Sequence, residues 1–278
     1  MSKFIIRKAH LEDMDFFLSH AKNEGWNPGF HDAIPFYTTD PHGFFIGQLD
    51  EKAIGCISTV AYNTNYGFLG FYIVIPQYRK QGWGIQLWNH GMHYLGQRSI
   101  GLDGVIAQQE NYKKSNFKLY YRNIRFEGSI SNSNSSSLID LDQIPFDTLM
   151  NYDVPIFGIP RPNFLRHWIN MPNAHALGKM DKNRLLGYGV IRSCIKGYKI
   201  GPLFADHFEV AKELYHGLCA TVHQGPVYLD IPEINEPAML LAKTEKLQKV
   251  FETARMYTSP PPPQDLKKIF GVTSFELG

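Results

Sequence analysis

The sequence has little cysteine and no cysteine pattern. Cys56, Cys194 and Cys219 are the only three in 278 residues, odd in number and widely spaced, with no CxxC and no Cys/His metal spacing. That excludes a disulfide framework and a structural zinc site, and each thiol reads as a small buried residue. No uninterrupted apolar run reaches membrane-spanning length. The first residues, Met1-Ser-Lys3-Phe4-Ile-Ile-Arg7, turn charged too early for a signal peptide. A soluble, cytoplasmic protein with no membrane partner and no metal is therefore expected. No Lys/Arg run dominates, and 28 basic residues against 26 acidic ones leave a net charge of +2, so nucleic acid is not implied. What the chain does have is apolar and aromatic content, 44% and 14%, enough for one large or two medium globular domains.

One stretch organises the rest: Phe71-Tyr-Ile-Val-Ile-Pro76-Gln-Tyr-Arg79-Lys-Gln-Gly82-Trp-Gly84-Ile-Gln-Leu-Trp88. Tyr72 to Ile75 is apolar and β-branched, and Pro76 cannot donate to a sheet ladder, so a buried strand ends there. Gly82 and Gly84 permit backbone angles and approaches that a Cβ would block. From Gly84 the apolar positions Trp88, Gly91, Met92 and Leu95 fall at helical spacing. The free amides of that helix start, beside Arg79 and Lys80, make an anion site suited to a diphosphate. Two common versions of such a site are missing. A dinucleotide fingerprint needs a third glycine where Leu87 stands, and the Walker lysine-serine pair is absent.

Arg79-x-x-Gly82-x-Gly84, directly after strand-Pro-x-Tyr, resembles the acetyl-CoA loop of the GNAT acyltransferases. A second motif agrees: Tyr112-Lys-Lys-Ser-Asn116-Phe117 fits the family's Tyr-x-x-x-Gly-Phe, with Asn116, which tolerates left-handed angles, in place of glycine. One departure is Val105, where many members carry an asparagine that contacts the cofactor. The resemblance implies acetyl-CoA held by backbone amides at Lys80, Gln81, Gly82, Trp83, Gly84 and Ile85 with Arg79 beside them. It also implies a pantetheine arm lying along Tyr72, Ile73 and Val74, and a backbone amide near Val74 facing the thioester oxygen. Tyr112 becomes the general acid for the departing thiolate, since a phenol with a pKa of about 10 is protonated at neutral pH.

The order of elements fits that family. A strand at Phe4–Arg7, a helix at Ala9–Ala21, a loop at 24–32 and a hairpin of Gly43–Leu49 and Ala53–Val60 precede the central strand. A strand at Ser99–Val105, a short helix within 106–115 and a strand at Phe117–Phe126 follow. Gly128 to Ser137 is polar and of low complexity, a flexible linker. A second unit then repeats the first in outline. Leu185–Arg192 corresponds to the strand around Gly55, Gly197–Leu203 to the central strand, Phe208–Leu218 to the helix, Pro226–Asp230 to Ile100–Asp103, and Lys249–Tyr257 to Lys118–Phe126. The expected fold is α+β, an α/β/α sandwich of two fused GNAT-like halves, each a mixed, mostly antiparallel sheet flanked by helices. The expected limits are 1–128 for the acetyltransferase domain, 129–148 for the linker and 149–278 for a degenerate second domain. That second half has no Arg-x-x-Gly-x-Gly, and Asp206 at its helix start would repel phosphate. The prolines at 260–263 form a stiff connector, and 266–270 suggests a last helix.

The expected reaction is direct transfer of an acetyl group from acetyl-CoA to an amine in a ternary complex. A non-catalytic sensor or scaffold that binds CoA on the same fold is the alternative. On the acceptor side, Glu24, His31 and Asp32 lie on the loop that borders the acceptor in similar enzymes, and any of them could deprotonate an ammonium. Trp26, with Phe30, Phe36 and Tyr37, suggests an aromatic-walled pocket for a small-molecule amine.

Overall fold

The computed structural model describes residues 3–129 and 137–278. In the first half, β1 (Phe4–Lys8) leads to α1 (Met14–Asn23), α2 (Ala33–Thr39), β2 (Phe44–Leu49), β3 (Lys52–Ala61) and β4 (Tyr66–Val74). Then come α3 (Trp83–Leu95), β5 (Ser99–Val105), α4 (Gln109–Lys113) and β6 (Lys118–Ser129). The second half runs β7 (Leu138–Asp140), α5 (Phe146–Phe157), α6 (Pro162–Trp168), β8 (Ala174–Asp181), β9 (Arg184–Ser193), β10 (Tyr198–Ala205), α7 (Phe208–Ala220), β11 (Pro226–Pro232), α8 (Glu236–Thr244), β12 (Gln248–Tyr257) and β13 (Ile269–Gly271). This is the α+β architecture expected, a mixed and mostly antiparallel sheet with helices on both faces. Part of the stretch read as linker, 130–136, lies outside the described residues. The remainder up to 148 is structured, carrying β7 and the start of α5. The last helix expected at 266–270 is instead a single 3-10 turn followed by β13, and β4 begins at Tyr66 rather than Phe71.

All thirteen strands of the described residues join one sheet, and its order interleaves the halves: β1-β2-β3-β4-β5-β12-β6-β11-β10-β9-β8-β7, with β13 on β10. Each half lends its last long strand to the other. β12 lies between β5 and β6, and β6 in turn pairs with β11. Two buried ion pairs pin the exchange. Arg255 on β12 stands opposite Asp103 on β5 and donates from Nε at 2.9 Å and Nη2 at 2.6 Å. Arg125 on β6 stands opposite Asp230 on β11 and donates from Nε and Nη2, both at 2.7 Å. Forked two-point pairs of this kind fix register as well as charge.

Helix α3 buries Leu87, Trp88, Gly91 and Leu95 as one stripe, against Ile57, Leu69, Ile100 and Leu102 of the sheet. On the opposite face, Phe17 and Phe36 meet Phe71 edge-on, and Phe36 stacks on Trp168 from the second half. The halves therefore share a core as well as a sheet. Among the described residues, no helix is long and apolar enough to cross a membrane.

Candidate active site

The central strand is bent where the chemistry is expected. The β3–β4 register gains one residue on β4 between Gly70 and Ile73, and within that bulge Phe71 takes a φ of +45°, an uncommon conformation for a bulky side chain. Parallel pairing of β4 with β5 runs only from Tyr66↔Ser99 to Leu69↔Leu102 and stops just before the bulge. Beyond it the strands splay, leaving a cleft lined by Gly70, Tyr72, Gly104, Val105 and Tyr112, with Trp26 at its margin. A bulge re-aims a strand, and here it turns β4 away from β5 and frees main-chain groups. Ile75 donates to Ile54 of β3 at 2.9 Å, so by strand alternation the Val74 amide turns toward the free edge. The Val74 carbonyl, on that same side, receives Arg79 Nε at 2.7 Å.

Past β4, Pro76–Tyr78 forms one 3-10 turn before the glycine loop. Lys80 and Gly82 both have positive φ, 62° and 86°, so the loop curls its amides inward ahead of α3. Gly82 is the N-cap and has no side chain to cap the helix. Gly84 lies so close to the strand that a Cβ would come within 2.8 Å of the Tyr72 hydroxyl and 3.2 Å of Val74. Uncapped amides, a left-handed glycine and a strand in near contact suit a diphosphate at the mouth of the cleft. Gln81 and Ile85 are exposed on this rim, and Trp83 packs on Phe4. Ile73 differs from the others: its side chain is buried in the core on the far face, so only its main chain can meet a ligand.

Tyr112 closes the cleft from the α4 side, stacked on Trp88 with ring centroids 5.7 Å apart. Burial, and next the neighbouring Tyr72, push its phenol well above the ordinary value of 10, and burial raises Tyr72 as well. A phenol so placed stays protonated through the neutral range, so it has a proton to give to a departing thiolate.

The acceptor-side expectations are redistributed. Glu24 is ion-paired to Arg79, tying the loop after α1 to the glycine loop. Asp32 is 1% exposed, accepts from the Gly29 amide at 2.8 Å, and takes Arg192 Nε of the second half at 2.8 Å. His31 lies in a separate surface depression with Phe30 and Ile34. None of these three lines the cleft. Phe36 is core, and Tyr37 packs on Phe44. Only Trp26 of that group reaches the cleft.

The wall that faces Tyr72 comes from the second half and was not anticipated. It consists of Phe251 and Thr253 on β12, and Phe275 and Glu276 on the tail after β13, with Asp103 on β5 below. No local motif marks these residues. The internal repeat sets Asp103 against Asp230 and Arg125 against Arg255, but it does not say which half each strand joins. Asp103 is fully engaged, by Arg255, by Asn123 at 2.7 Å and by Thr253 at 3.4 Å. Glu276 is only 4% exposed, yet among the described residues its carboxylate has no hydrogen-bond or ion-pair partner.

The corresponding loop of the second half is not an anion site. Only Asp206 and His207 separate β10 from α7, and Asp206 is taken by Arg184 at 2.5 Å, Lys268 at 2.9 Å and the Tyr152 hydroxyl at 3.1 Å.

Comparison with known proteins agrees with this geometry. Residues 9–122 match the acetyltransferase (GNAT) family model, and residues 149–271 match an acetyltransferase (GNAT) domain model. The chain is 30% identical to the holothin acyltransferase of a Pseudoalteromonas species, over 98% of this chain and 94% of that one. A candidate acetyltransferase from Pyrococcus horikoshii superposes with a TM-score of 0.85 at 22% identity, covering 99% of this chain and 96% of the other. A tandem GNAT protein of the clavulanic acid pathway superposes at 0.65 with 11% identity, covering 94% and 100%. With its glycine loop, its opened strand pair and its duplicated architecture, the chain belongs to the GNAT family of acyl-CoA-dependent acyltransferases, as a member with a second GNAT-like domain.

Proposed function

We propose that the protein transfers an acetyl group from acetyl-CoA to the amine of a small molecule, directly and without a covalent enzyme intermediate. The observation that carries this reading is the bulge-opened cleft between β4 and β5, with an uncapped helix start at its mouth and Tyr112 on its wall. The diphosphate sits on the amides of Lys80 to Ile85, and the thioester lies along Tyr72 to Val74. The Val74 amide polarises the thioester oxygen; one preorganised donor of this kind is worth about 3 kcal/mol. Tyr112 protonates the departing sulfur.

A small acceptor is supported by the walls. Trp26, Tyr72, Tyr112, Phe251 and Phe275 put aromatic rings on several sides of the cleft, which suits a compact, flat-bodied amine better than a protein tail. We also read the protein as cytoplasmic, without nucleic-acid or membrane partners; its three cysteines are all free and buried. Isothermal titration with acetyl-CoA, followed by a thiol-release screen of amines, tests the reading. Saturable binding and turnover with at least one small amine are expected. Absence of acetyl-CoA binding would end it.

A further inference from the structure

We infer that Glu276, carried into the cleft by the tail of the second half, is the catalytic base that seats the acceptor ammonium and takes its proton. The inference rests on the acyl-transfer reading above and assigns the one role that reading leaves empty. Acetylation of an amine needs a group to remove a proton from the ammonium, because only the neutral amine carries the lone pair that attacks.

Elimination narrows the field. Among the carboxylates considered for this task, Glu24 is held by Arg79 and Asp32 by Arg192, and neither lines the cleft. Asp103 lines it, but Arg255, Asn123 and Thr253 occupy its oxygens. Glu276 lines it too, at 4% exposure, with no partner of its own among the described residues. A carboxylate that lines a cleft with neither oxygen claimed by a protein donor is open to a ligand's ammonium.

The tail is fixed firmly enough to aim it. Val272 donates to the Asp230 carbonyl at 2.8 Å, Arg161 donates to Thr273 Oγ1 at 2.8 Å, and Leu277 donates to Ser274 Oγ at 3.1 Å. The Tyr62 hydroxyl donates to the Leu277 carbonyl at 2.8 Å, and the Glu276 main chain presses against Gly70, beside the bulge. These anchors come from both halves, and they bring Glu276 to the same cleft that Tyr112 lines from the α4 side. The charged groups around it on other elements, Arg125, Arg192 and Lys199, are all basic. Arg125 and Arg192 are matched by Asp230 and Asp32.

The proton and bond accounting is complete. The ammonium gives one proton to the Glu276 carboxylate, and the freed amine forms a C–N bond to the thioester carbon. The C–S bond breaks, and sulfur leaves with the bonding pair and takes the Tyr112 proton. The surplus proton on nitrogen then returns to Tyr112. The sum is one amide, one thiol and one proton passed to solvent through Glu276.

The test uses the full chain with acetyl-CoA and a panel of phenylethylamine, tyramine and tryptamine, read with whichever the wild type acetylates fastest. Glu276→Gln is expected to lower kcat about a hundredfold or more, with acetyl-CoA affinity within about threefold of wild type by titration and melting temperature within about 3 °C. In Glu276→Ala, added formate is expected to restore part of the lost rate, which a packing role would not allow. Turnover by Glu276→Gln within about threefold of wild type overturns the assignment, as does a loss that formate does not relieve and that a parallel fall in melting temperature explains. If the wild type itself binds no acetyl-CoA and releases no thiol, the acyl-transfer reading falls first, and the assignment with it.

Discussion

The two parallel strand pairs of the molecule start alike and end differently. β4 and β5 pair through Leu69↔Leu102 and then part; β10 and β11 pair through Ile200↔Leu229 and then part. In both, the central strand gains a residue against its hairpin partner at the point of departure. In the second half, β13 moves into the opening, pairing with β10 at Leu203↔Gly271 and Phe204↔Ile269 while Val272 bonds the Asp230 carbonyl. In the first half, among the described residues, no strand does so. The comparison shows what the fold supplies: a fork whose free main-chain edges need a guest, either a piece of the protein's own chain or an extended ligand that can mimic a strand. The half that kept its glycine loop kept its fork open.

The largest expected effect removes an element both halves share. Arg125→Ala strands Asp230, and Arg255→Ala strands Asp103. Each is expected to cost about 3–5 kcal/mol in urea unfolding, since the orphaned charge is buried. Near-equal losses mark the exchange as symmetric; a loss confined to one would break the equivalence. Tyr112→Phe is expected to lower kcat about a hundredfold with acetyl-CoA affinity unchanged in titration. Gly82→Glu is expected to weaken acetyl-CoA binding by about tenfold or more, because a side chain strains the left-handed cap by about 1–2 kcal/mol and a carboxylate faces the phosphates. Asp206→Ala in the second half is expected to leave that affinity alone. If it too weakened binding, the second fork would have to be reopened as a site.

Smaller effects refine the same contrast. Because the Tyr112 phenol is raised above 10, it stays protonated through the working range, so no fall in kcat from this group is expected between neutrality and about pH 10. The same raised value means that its contribution to stability is whole below about pH 10 and is lost as pH climbs through the folded value, which circular dichroism in alkaline buffers would record. Smallest of all, Glu24→Gln removes a partly exposed pair worth about 0–1 kcal/mol and is expected to leave turnover within about threefold, separating it from the base role.

Much of the first half was legible because its signals are local. Pro76 ends a strand wherever it falls, Gly82 and Gly84 mark a turn by their own geometry, and Tyr112 keeps fixed spacing to Phe117. The repeat was legible for the same reason, strand by strand. What could not be read was partnership. Lys249–Tyr257 was identified as a strand equivalent to Lys118–Phe126, yet nothing in either stretch says that it leaves its own half. That choice is settled by Arg255 finding Asp103 across more than a hundred residues of chain. The acceptor side was harder to read for a related reason. Asp32 and Glu24 looked free because their partners, Arg192 and Arg79, are distant in sequence. Glu276 sits among Phe275 and Leu277 with no motif, and it acquires meaning only where the tail comes to rest.

The crossing of β6 and β12 gives the molecule an assembly order. A ribosome that has made everything through β6 has produced the glycine loop and Tyr112, but the edge of β5 is still bare, and the wall formed by Phe251, Thr253, Phe275 and Glu276 does not yet exist. Neither half can be trimmed away, swapped for a cousin or lost by deletion without exposing a raw sheet edge in the survivor. The two units are indivisible as folded, and the less decorated one completes the other's sheet and cleft.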